Sequence, residues 1–342
     1  MSLSRDQFTL LRVLVERSKV STQRCYLVGG VLRDLFLLNS LLDRDVDILV
    51  DGSAGEEASF IAERFGGSVR TFNKFLTAKA EKLTGFERLN EVDFASARKE
   101  KYPAPGSLPQ VLPASVSEDL ARRDFSINAM AVEISTALVQ GLESGDFLNQ
   151  PHSYGFMDSF GGLKDLREKV LRILHQESFR DDPTRILRGI RYCARLNGAF
   201  DGETEQSLRE AIASGVFGSI STQRFFADLK RILKEPTVRS ALGLLSRYSC
   251  RNGTLLVNVV LSDEMLAIAG EISQGLEPEV QLEVFRLALE VLSKGLIPDE
   301  EWFAFGMNRK GLGRLRAEAL AIAGLAGGVH ELEAAVKKYP KK

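Results

Sequence analysis

Between residues 8 and 18 the apolar positions recur at helical spacing, which predicts a first helix. The period then changes. Cys25-Tyr-Leu-Val is a short apolar run that stops at Gly29-Gly30, as a buried strand does at a tight turn. Val31 to Leu38 returns to a helical pattern. Arg44-Asp-Val-Asp-Ile-Leu-Val predicts a second strand, closed by Asp51-Gly52. Glu56 to Phe65 predicts a helix that ends at Gly66-Gly67, and Ser68–Phe72 and Glu91–Ala97 predict further strands. The first ~135 residues therefore mix helices and strands, with carboxylates on the strands.

Residues 101–113 carry four prolines and one glycine, which predicts a loop, and a loop of that length in a compact domain often carries function. Residues 140–157 read as a second irregular stretch. From Leu166 onward the pattern is helical, with candidate helices at 182–197, 203–214, 221–235, 237–248, 263–274, 278–294, 299–306 and 311–325. No internal repeat stands out. Lys337, Lys338, Lys341 and Lys342 make a small basic end, and such an end is more often only a solvated tail.

Composition narrows the picture. With 342 residues the chain has room for about two domains. With 44% hydrophobic residues it can bury a real core, and a disordered ground state is excluded. Lys and Arg total 45 against 46 Asp and Glu, a net charge of −1, so a nucleic-acid partner needs local basic faces rather than bulk attraction. Three scattered cysteines (Cys25, Cys193, Cys250) form neither a metal-ligand spacing nor a disulfide framework, and fit a reducing cytoplasm. Three histidines (His152, His175, His330) argue against a zinc site, a histidine-centred triad or an HD-type phosphohydrolase domain. The apolar run after the N-terminus is too short and too charged for a signal peptide or a membrane span.

Four short motifs carry chemistry. In Asp45-Val-Asp47, alternate strand residues share a face, so both carboxylates point one way while Val46 and Ile48 point into the core. Neighbouring carboxylates repel unless a cation sits between them, and hard oxygen ligands suit Mg²⁺, which takes one or two carboxylates with substrate phosphates. Alone, Asp-x-Asp more often marks two exposed aspartates beside a turn. In Gly29-Gly30-Val-Leu-Arg33-Asp34, glycines at a strand-to-helix turn let backbone N–H groups approach a phosphate, with Arg33 one helical turn further on. A plain turn explains that motif equally well in isolation. In Asp119-Leu-Ala-Arg122-Arg123-Asp124-Phe-Ser-Ile-Asn128, an arginine offers a bidentate fork for phosphate, unless the charges only pair internally at a helix start. In Asp181-Asp182-Pro183-Thr-Arg185-Ile-Leu-Arg188-Gly-Ile-Arg191, Asp182 predicts an N-cap and Pro183 the first helical position. At about 100° per residue, Arg185, Arg188, Arg191 and Arg195 fall within roughly a third of the circumference, opposite Ile186, Leu187, Ile190, Cys193 and Ala194. A solvated basic face with an aspartate cap is the plainer explanation of this fourth motif alone.

Taken in order, and with Gly161-Gly-Leu-Lys-Asp-Leu between the third and the last, these motifs resemble the class II tRNA nucleotidyltransferases. That family comprises CCA-adding enzymes, their CC- and A-adding relatives and bacterial poly(A) polymerase. The resemblance spans roughly residues 24–235. It implies an α+β fold class: a polymerase-β-like mixed-sheet head over 1–165, a helical neck with a base-reading helix over 166–250, and a helical body and tail over 251–342 given over to RNA binding. It implies that Asp45 and Asp47 hold catalytic Mg²⁺, with Asp93 as a possible third carboxylate. It places nucleotide binding at Gly29, Gly30, Arg33, Arg123, Asn128, Asp182, Arg185, Arg188 and Arg191.

The implied reaction is template-independent. A tRNA 3′-hydroxyl attacks the α-phosphate of CTP or ATP and pyrophosphate leaves, with two metal ions stabilising the entering and leaving oxygens. Such chemistry needs carboxylates, arginines and glycines but no protein nucleophile. An aspartate accepts from the amino group of C or A while an arginine donates to the ring nitrogen; U and G reverse that pattern. The implied partners are the tRNA acceptor end, ATP and CTP, with no membrane and no DNA, in the cytoplasm. Asp181 stands where the family often has glutamate, Asp228 replaces a neck-helix glutamate, and Ser159 follows Asp158 where proline is common. The 101–113 segment is close to full length, which favours A- or CCA-addition over CC-addition. Competing readings are a poly(A) polymerase, an inactive RNA-binding relative, and a nucleotidyltransferase acting on a small molecule.

Overall fold

A six-stranded mixed sheet organises the first half of the chain. The structure is a computed structural model that describes residues 3–38 and 46–249. Asp45, Cys250, His330 and the helices expected from residue 263 onward lie outside the described residues.

Helix α1 (Arg5–Ser18) starts three residues before its apolar period does, because Ser4 and Gln7 form a reciprocal capping box. Then follow β1 (Arg24–Val28), α2 (Gly30–Leu38), β2 (Asp47–Asp51), α3 (Ala54–Phe65), β3 (Ser68–Phe72), β4 (Thr77–Glu81) and β5 (Glu91–Ser96). The sheet order is β3-β4-β5-β2-β1-β8, with β8 at Ala131–Glu133. Within this sheet, among the described residues, only β2 and β5 pair in parallel, and α3 with β3 and β4 makes the connection between them. Strand β4 escapes the sequence pattern because its buried positions, Ala78 and Ala80, are too small to mark an apolar stripe.

One face of the sheet carries the main core. Leu11, Leu14, Leu32, Leu35, Ile61 and Leu138 from the helices meet Leu27, Ile48, Val50 and Phe94 from the strands. The other face carries a smaller cluster in which Leu49, Tyr26 and Val28 meet Val116 and Leu120. These last two residues come from α4 (Val116–Ala121).

Two expectations need correcting. Residues 101–113 are not a plain loop: β6 (Arg98–Lys101) and β7 (Gln110–Pro113) form an antiparallel hairpin around the prolines. Pro113 is tolerated because it stands at the end of a two-stranded ribbon. Residues 140–157 are not irregular either. They hold most of α5 (Thr136–Ser144), then α6 (Asp146–Asn149) and a 3-10 turn at Pro151–Tyr154. Gly145 and Gly155, both at positive φ, chop these pieces too short for a helical period to show.

The chain divides into two compact units. The first takes Met1–Pro103 and Leu108–Leu174; the second takes Ala104–Ser107 and everything described from His175 onward. The last helix of the first unit is α7 (Gly162–Glu168), and the second unit is mainly helical: α8 (Ser178–Asp181), α9 (Thr184–Leu196), α10 (Gly202–Ala213), α11 (Thr222–Leu233) and α12 (Val238–Ser249). Helix α9 packs against α11 and α12, and its predicted apolar side is fully buried. No helix of the described residues is long and apolar enough to cross a membrane.

Candidate active site

Strand register brings acidic residues together. β1 and β2 are antiparallel with Leu27 opposite Ile48, so one step further Val28 lies beside Asp47. β2 and β5 are parallel with Asp47 directly opposite Asp93. β4 is antiparallel to β5 with Lys79 opposite Asp93. Asp47, Asp93 and Lys79 thus stand in a row on three adjacent strands, each ~4.8 Å from the next. Asp47 shares the face of Leu49 and sits where β1 gives way to Gly29. Lys79 Nζ lies 2.7 Å from Glu91 Oε1 and 3.2 Å from Asp93 Oδ2. Those two carboxylates, Glu91 before Asp93, hold the ammonium above the usual lysine range against the opposing effect of burial. Among the described residues no cluster of three or more His, Cys, Asp or Glu could hold a metal. Asp47 and Asp93 supply two hard oxygen donors, and Asp45 lies outside the described residues.

The glycine turn is a packing device. Gly29 has φ +57°, and its N–H donates to Met130 O at 3.1 Å, so that N–H is not one that greets a phosphate. A side chain at Gly29 would put its Cβ 2.5 Å from Arg123 Nη1. At Gly30 the nearest atom to such a Cβ is Arg33 Nη2, at 3.5 Å. Two guanidiniums therefore flank the glycine pair, and Asn128 ties them. Arg33 Nη1 donates to Asn128 Oδ1 at 2.7 Å and Arg123 Nη1 donates to Asn128 O at 3.2 Å. Asn128 Nδ2 in turn donates to Asp124 Oδ1 at 2.9 Å, and Asp34 receives Arg33 Nη2 at 2.7 Å. Gly29, Gly30, Arg33, Arg123 and Asn128, named from two separate stretches of sequence, form one cradle.

Asp119 anchors that cradle from behind. It is fully buried, with Arg122 Nη2 at 2.6 Å on Oδ1 and Arg123 Nη2 at 2.8 Å on Oδ2. Burial alone would raise its pKa, but the guanidiniums of Arg123 and Arg122 outweigh burial and hold the carboxyl below the usual range. Arg122 also reaches Glu100 at 2.8 Å, which links α4 to the hairpin strand β6. The i,i+3 and i,i+4 spacing of Asp119 to Arg122 and Arg123 was the available sequence signal for this hub.

In the second unit Asp182 and Arg185 share the start of α9. The helix begins at Thr184, one residue later than the Asp-Pro reading predicts. Pro183, not Asp182, stands at the cap, and Asp182 bonds the first turn from one position earlier: Oδ1 accepts from Thr184 N at 3.1 Å and from Thr184 Oγ1 at 2.7 Å. Arg224 Nη2, from α11, donates to the same oxygen at 2.9 Å, and another arm of Arg224 reaches Gly106 O. Arg185 is 5% exposed, and its Nη1 donates to Ser178 Oγ at 2.7 Å. Further along α9, Arg188 Nη2 bonds Tyr192 Oη at 3.3 Å, and the Arg191 guanidinium lies 5.1 Å from the Tyr192 ring centre. Arg191 and Arg195 both approach Glu235, at 3.9 Å for Arg191 Nη1 and 3.1 Å for Arg195 Nε. The basic stripe is thus half-buried and partnered rather than solvated. Arg224, Glu235, Ser178 and His175 were not singled out from sequence, because each lies far from its partner in the chain or outside any charge pattern.

Comparison with known proteins completes the picture. Residues 25–172 match the family profile of the Poly A polymerase head domain. The chain is 40% identical to the A-adding tRNA nucleotidyltransferase of Aquifex aeolicus over 66% of its own length and 25% of that protein's. It spans 24 to 51% of the A-adding relatives it matches. Against the CC-adding tRNA nucleotidyltransferase of Deinococcus radiodurans it is 31% identical, covering 90% of this chain and 73% of the relative. Its fold matches a CCA-adding enzyme in apo form II with TM-score 0.76 at 24% identity, covering 99% of this chain and 81% of that one. A mixed-sheet head with an arginine-flanked glycine turn, and a relative 31% identical of which the chain covers 73%, lead to one conclusion: this chain belongs to the tRNA nucleotidyltransferase family.

Proposed function

We propose that this chain adds AMP, CMP or both to the 3′ end of tRNA, taking them from ATP or CTP without a template and releasing pyrophosphate. The observation that carries the reading is the register that sets Asp47 opposite Asp93 beside the Gly29–Gly30 turn, with Arg33 and Arg123 against the glycines. Carboxylates and guanidiniums at one sheet end suit a triphosphate and its counter-ions.

Nucleotidyltransferases of this family generally use a divalent metal, and Mg²⁺ on Asp45 and Asp47 is the form proposed here, with Asp93 as a third donor. Such ions supply charge stabilisation at the α-phosphate and at the attacking and leaving oxygens. The chain's own residues do the rest. Arg33 and Arg123 orient the phosphates, each held by Asn128 so that it loses little freedom on binding. Asp182 reads the base's amino group. The bonds that Thr184 and Arg224 make to it land on Oδ1, which leaves Oδ2 to accept from that amino group. Arg185 donates to the ring nitrogen. U and G offer the opposite pattern and leave buried groups unpaired, which selects against them.

Relatives named A-adding are the more similar ones, and AMP addition to a tRNA ending in CC is the narrower form of the proposal. The test is incorporation with purified protein, Mg²⁺ and tRNA transcripts ending at the discriminator base, C, CC or CCA, each given ATP, CTP or both. AMP addition confined to the CC end supports the A-adding form. Addition of CCA to the bare end, or of CC alone, keeps the family activity but changes the specificity. Long adenylate ladders on any RNA would replace the proposal with poly(A) polymerase, and no incorporation on any transcript would overturn it.

A further inference from the structure

We infer that His175, together with Ser178, is a positioning residue that sets the Arg185 guanidinium for base reading, and that the neutral imidazole is the form that does so. The inference rests on Arg185 reading the base, as proposed above. His175 is part of none of the motifs described in the sequence, yet it faces that arginine directly. Arg185 Nη1 lies 3.5 Å from His175 Nε2, a long contact, and 2.7 Å from Ser178 Oγ.

Chemistry fixes the direction of the contact. A guanidinium only donates, so His175 Nε2 must present its lone pair and carry its proton on Nδ1. An imidazolium has no lone pair to offer and would place a second positive charge against the guanidinium. The charged groups facing His175 are Arg185 from α9, and Asp181 and Glu177 from the α8 segment, with Asp181 Oδ2 at 3.9 Å from Nε2. Burial first, and then Arg185, hold the imidazole below the usual histidine range, which keeps it neutral near pH 7. Asp182 is held separately by Thr184 and Arg224, so protonation of His175 disturbs the arginine of the pair and leaves its carboxylate in place.

The test measures base choice as the ratio of kcat/KM for the correct nucleotide to that for UTP or GTP, on full-length protein with its preferred tRNA transcript, from about pH 5 to 8. The ratio cancels pH effects common to both nucleotides. The expected result is a fall of roughly tenfold toward the acid end in the natural protein. His175→Gln, whose amide oxygen accepts at every pH, should keep its selectivity across the range. His175→Ala should be poorly selective throughout with an unchanged KM for tRNA. Asp181→Asn separates that carboxyl's own titration and should leave an acid-side fall in place. A ratio flat with pH in the natural protein, or an acid fall that survives in His175→Gln, overturns the role of His175. Arg185→Ala is the control for the underlying reading: if it leaves base choice intact, the assignment of Arg185 fails first. If Arg185→Ala relaxes choice while both His175 variants behave like the natural protein, only the present inference fails.

Discussion

Gly29 shows how much a single position can carry. Its φ of +57° disfavours any side chain by ~1–2 kcal/mol, and a Cβ there would also displace Arg123. Gly29→Ala should therefore lower both stability and nucleotide affinity. Gly30→Ala meets Arg33 only at ordinary contact distance and should be the milder change. Equal effects of the two in thermal melts and nucleotide titrations would contradict the cradle described above. Asp47→Ala should abolish incorporation, by about 10³-fold or more, while tRNA binding in a gel-shift assay holds. Turnover near the natural rate would remove Asp47 from the metal site. Asp119 makes a third case. Its carboxyl titrates lower in the folded chain than in the unfolded one, so its stabilisation is complete above the unfolded value and is lost as pH falls through the folded value. Asp119→Asn should cost on the order of 3 kcal/mol near neutrality, since two half-buried guanidiniums lose the buried charge they share, although Arg122 keeps Glu100, and the deficit should shrink in acid. Denaturant melts at several pH values read that difference.

Whole elements respond to their least satisfied member. Helix α3 buries Glu57 at 1% exposure, and Oε2 has no hydrogen-bond partner, while Arg17 of α1 lies 3.4 Å from Oε1. Burial, only partly offset by Arg17, pushes this carboxyl up. A carboxyl raised on folding opposes stability wherever it is ionised. Glu57→Gln should then stabilise the first unit by about 1 kcal/mol at neutral pH. That gain should vanish as pH falls below the unfolded value, where the natural side chain is also neutral. A variant no more stable at any pH would show that the ion pair with Arg17 outweighs burial. Helix α9 is the opposite case, since Arg191 and Arg195 of its stripe share Glu235, and Tyr192 lies against Arg188 and Arg191. The sequence period located α9 and its buried side; it could not reveal Glu235, which is 40 residues from Arg195. The same limit explains the hairpin at β6 and β7 and the pieces of α5 and α6. Prolines and glycines break the local period there, and only cross-strand bonding or packing restores order.

At the scale of the molecule, a net charge of −1 leaves the proposed tRNA binding to local basic surface. Affinity for tRNA should therefore fall with rising salt as phosphate contacts release counter-ions, with a linear log–log slope. A flat response from low to moderate salt would argue for contacts without phosphates. The sequence by itself determined the mixed-sheet head and the helical second unit, and it named most of the residues of the candidate site. Apolar period, glycine turns and the order of short motifs are local properties, and each survives without knowledge of the fold. Tertiary structure alone decided which of those residues meet. Strand register sets Asp47 against Asp93, the burial of Asp119 locks Arg122 and Arg123, and the packing of helices puts Arg224 on Asp182 and His175 on Arg185. Those pairings join residues distant in sequence, or fix the direction of neighbours, and their energies depend on burial and geometry that no local pattern encodes.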